Sequence, residues 1–217
     1  MRRLALIPLA LALAACGGGG GSSSSSSAAP PPALLHPEKL TAKAPAVFDV
    51  TFHTSKGDFV VSAHRAWAPE GADRFYNLAK SHFFDGEKFF RVVPRFVVQF
   101  GISPFPTVSE AWRGATIPDD IVKMHNTRGA VSYAAAGPGS RTTQLFINLG
   151  NNTGLDTSGF APFATVTSGM KVVDTLYSGY ADKPTPFQGE MQTRGNAWLE
   201  EHYPKLDQIE SAEITHS

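Results

Sequence analysis

Residues 84–101 read FDGEKFFRVVPRFVVQFG, and the period of that stretch decides what kind of fold the chain can form. Asp85-Gly86 is a turn signal. After it, strict alternation sets Phe89, Arg91 and Val93 on one side of a strand, and Phe90 and Val92 on the other. Pro94 divides the run into two strand pieces. A guanidinium in such apolar company is costly to bury unless it is paired or left partly wet. Arg91 is therefore an edge residue reaching solvent, an ion-pair partner, or part of a site. The residues alone leave all three open.

The same period continues outward in both directions. Residues 47–54 (VFDVTFHT) and 59–64 (FVVSAH) alternate on either side of a Lys56-Gly57-Asp58 turn, which predicts a hairpin. Over residues 70–81 the period becomes helical, with Ala72, Phe75, Leu78 and Ala79 on one face. Further strands are predicted at residues 128–136, 144–149 and 161–166, with a closing strand at 207–214. A short helix is predicted over 168–177 and a last helix over 194–202. Many short strands with two or three helices suggest a mainly antiparallel barrel or sandwich.

Composition bounds the function classes. The chain has 217 residues, enough for one domain with a sizeable core, and 15 phenylalanines favour a packed globule. Nineteen basic residues balance nineteen acidic ones, so no strong field favours nucleic acid. Residues 1–15 read MRRLALIPLALALAA, two arginines followed by an apolar run too short to span a bilayer. The chain's single cysteine follows, in the context LAAC. This resembles the lipobox of bacterial lipoproteins, and implies a cleaved signal peptide and a lipidated Cys16. Loss of Arg2 and Arg3 would leave 17 basic against 19 acidic side chains. Several acyl chains would anchor the mature protein stably. The low-complexity stretch GGGGGSSSSSSAAPPP at residues 17–32 has nothing to bury. Residues 16–46 are read as lipidated cysteine plus flexible tether, and 47–217 as the folded domain.

Chemical motifs are sparse. The seven histidines show no metal-ligand spacing, and there is neither a G-x-S-x-G elbow nor a phosphate loop outside the polyglycine. Asp119-Asp120 suits a solvated acidic turn better than a cation site. Asn151-Asn152-Thr153 fits a glycosylation pattern. His125 and Arg128 read as structural residues before a strand. No nucleophile, metal or cofactor is indicated.

Three segments in order carry a family resemblance. Residues 84–101, residues 128–149 (RGAVSYAAAGPGSRTTQLFINL) and residues 154–174 (GLDTSGFAPFATVTSGMKVVD) resemble the signatures of cyclophilins, the peptidyl-prolyl cis-trans isomerases. The resemblance implies a closed eight-stranded antiparallel barrel, capped by two helices, with the site on its outer face. It makes Arg91 the catalytic arginine, with Gln99 hydrogen-bonded near it. Phe96, Val97, Phe146 and Leu155 match the pocket that receives the proline ring. Ala134, Ala135, Ala136 and Gln144 match the rim along which a peptide lies, and Phe160 falls where the family has histidine or an aromatic. Alternation supports Arg91, Val97 and Gln99 sharing a face; Phe96 joins them by resemblance alone.

The chain departs from the family pattern in places. Phe90 replaces a common histidine, Arg95 a common glycine, Phe100 the first glycine of a common pair, and Gly154 a tryptophan carried by many members. Phe90 should face away from Arg91 and affect packing rather than chemistry. The expectation is an isomerase of X-Pro bonds, monomeric and without cofactor. It would act on proline-containing segments of envelope proteins, touch the membrane only through its lipid, and face the periplasm. The alternatives are a cyclophilin-like module that grips proline segments without useful turnover and, more weakly, a hollow ligand-binding barrel.

Overall fold

The computed structural model describes residues 29–216, so the leader, Cys16 and the glycine-serine run lie outside the described residues. The first two strands, β1 (Val47–Thr54) and β2 (Gly57–His64), form the predicted hairpin, paired from Val47↔His64 to Thr54↔Gly57. Gly57 sits at φ +113°, a conformation strained for any residue with a Cβ. The remaining strands are β3 (Arg91–Val92), β4 (Val97–Phe100), β5 (Ala130–Tyr133), β6 (Leu145–Asn148), β7 (Pro162–Ser168) and β8 (Ile209–His216). They form one antiparallel sheet in the order β3-β4-β6-β5-β7-β2-β1-β8.

The sheet is curled but open, which corrects the expectation of a closed barrel. No ladder joins its two edges, β3 and β8. β3 is only two residues long, and the segment that meets β8, residues 86–89, lies before it and is not part of the regular strand. What spans the gap is an isolated bridge, Lys88↔Gln208, with three neighbouring backbone hydrogen bonds. Ile209 N donates to Glu87 O at 2.8 Å, Gly86 N to Ile209 O at 2.9 Å and Phe89 N to Asp207 O at 3.0 Å.

Inward-facing residues fill the interior with aromatic rings. Phe48, Phe52, Phe59, Phe75, Phe84, Phe89, Phe100 and Phe163 are all buried in one cluster. Phe52 stacks on Phe59 at 4.9 Å and meets Phe100 edge-on at 5.8 Å. Among the described residues the interior is filled by these packed rings, which counts against the binding-barrel alternative.

Helix α1 (Pro69–Lys80) starts with proline in its first turn, where the missing N–H is no loss. No side chain at Ala68 caps it; Asp120 does so from 50 residues away. The carboxylate accepts from Glu70 N at 3.1 Å and Gly71 N at 2.9 Å, and pairs with Arg141 at 3.1 Å. Asp120 is thus a buried cap, not the solvated acidic residue its sequence context suggests.

Four more helices are present among the described residues, where two capping helices are implied by the resemblance: α2 (Pro106–Trp112), α3 (Met170–Asp174), α4 (Gln188–Arg194) and α5 (Asn196–His202). The last helix predicted over 194–202 is α5, which starts at Asn196 because Gly195 at φ +63° breaks the path from α4, a helix the sequence reading did not anticipate. Residues 175–208, the connection from α3 to β8, build a second apolar cluster: Phe90, Ile102, Met191, Trp198, Leu199 and Leu206, flanked by Tyr180 and Tyr203. Phe90 packs in this cluster outside the sheet, while Phe89 and Val92 face the interior. The expected pairing of Phe89 with Arg91 on one face and Phe90 with Val92 on the other therefore does not hold. Regular strand alternation begins only at Arg91, where β3 starts.

Part of the segment read as tether is folded. Pro32–Leu35 forms a 3-10 turn whose Leu34 is 1% exposed, and Trp112 Nε1 donates to Leu34 O at 2.8 Å. Further along, Asn77 exchanges hydrogen bonds with the backbone of Ala42 at 2.7 and 3.1 Å, and Asp73 accepts from Ala44 N at 2.8 Å.

Candidate active site

Antiparallel register lines up the site. Arg91 on β3 lies opposite Gln99 on β4, and Gln99 lies opposite Phe146 on β6. The next residues along these strands, Val92, Val98, Phe100, Leu145 and Ile147, have the other parity and belong to the interior cluster. Arg91, Gln99 and Phe146 therefore form a row on the outer face, with Val97 two residues from Gln99 on the same side.

Phe96 reaches this row through the β3–β4 turn. Arg95 adopts φ +64°, the left-handed region that favours glycine. Phe96 N donates to Val93 O at 3.0 Å, and its own carbonyl accepts from Leu149 N and Asn152 Nδ2, each at 2.8 Å. The ring then lies beneath the arginine, with Arg91 Cζ 5.3 Å from its centroid. This is close enough for a cation–π contact.

Arg91, Phe96, Val97, Gln99, Ala134, Ala135, Phe146, Leu155 and Phe160 all line one cleft of about 250 Å³. The remaining two sequence-predicted rim residues, Ala136 and Gln144, line an adjoining hollow of similar size that shares Gln99, Ala134 and Ala135. Phe146 and Phe160 meet edge-on at 5.6 Å. One side of the cleft is thus aromatic and aliphatic, and the other carries amides and a guanidinium.

The polar side is a chain of hydrogen bonds. Arg91 Nε donates to Asp182 Oδ1. Arg91 Nη1 donates to Gln99 Oε1 at 3.3 Å, Gln99 Nε2 to Gln144 Oε1 at 2.9 Å, and Gln144 Nε2 to Gln188 Oε1 at 2.8 Å. Asp182 and Gln188, with Thr185 on the cleft wall, come from the α3–β8 connection. Sequence reasoning missed these three residues. Their setting, SGYADKPTPFQ, reads as loop and carries no signal of where it lies.

A buried network holds the pocket's far side. Asn126, fully buried, donates through Nδ2 to Asp156 Oδ1 and to Phe160 O, both at 2.8 Å. Asp156 also accepts from Asn126 N at 2.9 Å, and its Oδ2 lies 2.8 Å from His125 Nδ1. Partial burial pushes the Asp156 carboxyl up, but hydrogen bonds from Asn126 and His125 outweigh that and hold it below the usual range. Through these bonds Leu155 and Phe160 are fixed at the two ends of one loop. His125 meets Asp156 and does not line the cleft. Asn152 belongs to the same network, donating to Asn148 Oδ1 at 2.8 Å. At Gly154 an added Cβ meets nothing within 4 Å, so the rim is open where a tryptophan is common.

Comparison with known proteins agrees with this geometry. The family model for "Cyclophilin type peptidyl-prolyl cis-trans isomerase/CLD" matches residues 49–194, well over half of the chain. A peptidyl-prolyl cis-trans isomerase of Acinetobacter baylyi is 34% identical over 160 residues, covering 70% of this chain and 82% of the relative. Peptidyl-prolyl cis-trans isomerase B of Escherichia coli is 33% identical over 135 residues, covering 58% of this chain and 82% of the relative. A solved cyclophilin of Cryptosporidium parvum matches with TM-score 0.58 at 18% identity, covering 79% of this chain and 99% of that one. A second structure of it, determined in the presence of the dipeptide Ala-Pro, matches equally well and supports the same fold. The family model and these relatives define the class, the peptidyl-prolyl cis-trans isomerases or rotamases. Within it, this chain belongs to the cyclophilin-type peptidyl-prolyl cis-trans isomerases.

Proposed function

We propose that Arg91 is the catalytic group of this isomerase, and that the enzyme works on proline-containing segments of bacterial envelope proteins. Rotation about an X-Pro bond meets a barrier of about 18–20 kcal/mol because the amide is conjugated. Unassisted, it takes tens to hundreds of seconds. No bond need be broken. The proline ring rests on Phe96, Val97, Phe146 and Leu155, and the peptide runs along Ala134, Ala135 and Ala136. As the amide twists, the prolyl nitrogen becomes pyramidal and regains a lone pair. Arg91 donates a hydrogen bond to that lone pair, which the planar ground state accepts poorly. This is preferential binding of the transition state. Gln99 steadies the fork, and arginine stays charged throughout.

One observation carries the reading: Arg91 sits over Phe96 at the polar edge of an apolar cleft, hydrogen-bonded to Gln99. Arg91→Ala should lower turnover of a proline peptide by about a hundredfold or more, the scale of losing a transition-state donor. Arg91→Lys should recover little, since a point charge lacks the fork. Near-wild-type turnover in Arg91→Ala at unchanged melting temperature would refute the assignment.

The envelope setting rests on residues 1–28, where LAAC suits lipidation of Cys16 and the following run suits a tether facing the periplasm. Cys16→Ser should leave the protein soluble or its leader uncut. Labelled fatty acid retained by the Cys16→Ser protein would count against this reading.

A further inference from the structure

The α3–β8 connection does more than cover the sheet, because it delivers a carboxylate to the back of the arginine fork. Its base is firmly seated. Trp198 is 4% exposed within the second cluster, and Tyr180 packs edge-on against Tyr203 at 5.1 Å. Between these anchors the chain makes consecutive turns. Ala181 N donates to Ser178 O at 3.0 Å, Lys183 N to Tyr180 O at 2.9 Å and Thr185 N to Asp182 O at 3.0 Å. Tyr203 Oη adds a bond to Lys183 O at 3.2 Å. Asp182 therefore projects from a fixed backbone.

The pattern at the guanidinium is selective. Nε is taken by Asp182 and Nη1 by Gln99, while Nη2 makes no hydrogen bond among the described residues. Two nitrogens are held and the third stays free to donate. The Arg91 side chain is 24% exposed, so without a second tether it would sample several rotamers in partly wet surroundings. A contact meant to silence the arginine would occupy the free nitrogen; this one occupies the atom nearest the stem.

From this geometry we propose that Asp182 is a positioning residue, which orients Arg91 so that Nη2 meets the prolyl nitrogen. The proposal rests on the reading of Arg91 as the catalytic group. Its reach is specific: the carboxylate itself touches no substrate, and its effect passes through the guanidinium. The Asp182 side chain is 59% exposed, so removing it barely touches the core and the fold survives the test.

The experiment compares wild type, Asp182→Ala, Asp182→Asn, Arg91→Ala and the double variant Asp182→Ala/Arg91→Ala by exchange NMR on an Ala-Pro peptide. Asp182→Ala should lower kcat about tenfold, short of the roughly hundredfold that follows a one-ångström displacement of a catalytic group. KM should stay within about twofold, because the lost contact matters in the transition state rather than in binding. Asp182→Asn keeps an acceptor oxygen at the same place and should restore most of the turnover. The double variant should be no slower than Arg91→Ala. In ¹H–¹⁵N spectra of arginine side chains, the Arg91 Nε–H signal should move in Asp182→Ala and hold in Asp182→Asn. Wild-type or higher kcat in Asp182→Ala, with Arg91→Ala inactive, overturns the positioning role and leaves the catalytic reading standing. Full activity in Arg91→Ala overturns both.

Discussion

The two walls of the cleft were built in different ways. One is sheet: Arg91, Val97, Gln99 and Phe146 are set side by side by the register of β3, β4 and β6. The other is connection: Thr185 and Gln188 line the cleft from the segment leading into α4, Asp182 reaches Arg91 from the same segment, and an aromatic cluster fixes its place. A strand projects every second residue to one face whatever surrounds it. A loop residue points where its tertiary partners put it. The sheet wall is therefore local information made spatial, while the other wall exists only once the whole domain has packed.

That contrast is tested most strongly at Trp198. It is 4% exposed, lies 5.5 Å from Phe187 and 5.7 Å from Tyr203, and stacks on His202 at 4.5 Å. Trp198→Ala should cost about 3–5 kcal/mol, as expected for deleting a buried indole. Urea unfolding of purified wild type and variant measures this directly. If the connection wall depends on the cluster, Asp182 loses its purchase and the Arg91 Nε–H signal moves even where the variant remains folded. A cost under about 1 kcal/mol, the range of ordinary surface substitutions, would mean that the wall is held by something other than this cluster.

How much was readable follows the same division. Alternation in residues 84–101 placed Arg91 and Gln99 on one face, and helical spacing placed Ala72, Phe75, Leu78 and Ala79 on the buried side of α1. Phe96 was not readable by parity, because it reaches the site through a turn with Arg95 at φ +64°. The open edge between β3 and β8 escaped the family resemblance, which implies closure. Asn126 escaped too: a lone asparagine in a loop gives no hint that it will tie Phe160 to Asp156. The short helices α2 and α4 are seven residues each, too brief for a period to stand out among prolines and glycines.

Residues 29–46 repeat the lesson at the other end of the chain. Proline-rich composition reads as tether, yet Leu34 is buried and its carbonyl caps the indole N–H of Trp112. A domain starting at Ala44 loses that contact and exposes the ring, whereas one starting at Ala29 keeps both. The shorter form also loses both Ala42–Asn77 bonds and should be less stable by about 3–4 kcal/mol, combining one buried leucine with three hydrogen bonds. Thermal melts of the two forms decide the matter. Equal melting temperatures would return these residues to the tether.

Glu87 gives the smallest and most conditional effect, and it lies on the sheet side of the comparison. Its side chain is fully buried beneath the segment that leads into β3, and among the described residues its carboxyl oxygens have no well-formed hydrogen bond, the Gly101 backbone being their nearest donor. Burial pushes the carboxyl well above its ordinary range, Asp85 adds to this, and the Gly101 backbone only partly offsets it. The sign follows from proton counting. Above the unfolded value of about 4.3, the folded chain keeps a proton that the unfolded chain has released. Stability therefore falls as pH rises from there, until the folded carboxyl also ionises, and is flat beyond. Glu87→Gln cannot ionise, so its stability should lack this slope. At neutral pH it should stand above wild type by about 1–2 kcal/mol, the scale of one poorly satisfied buried group. Denaturant midpoints for both proteins at several pH values between 5 and 8 measure the difference. Parallel curves would show that Glu87 ionises as readily in the folded chain as in the unfolded one, and that water reaches it through the open seam between β3 and β8.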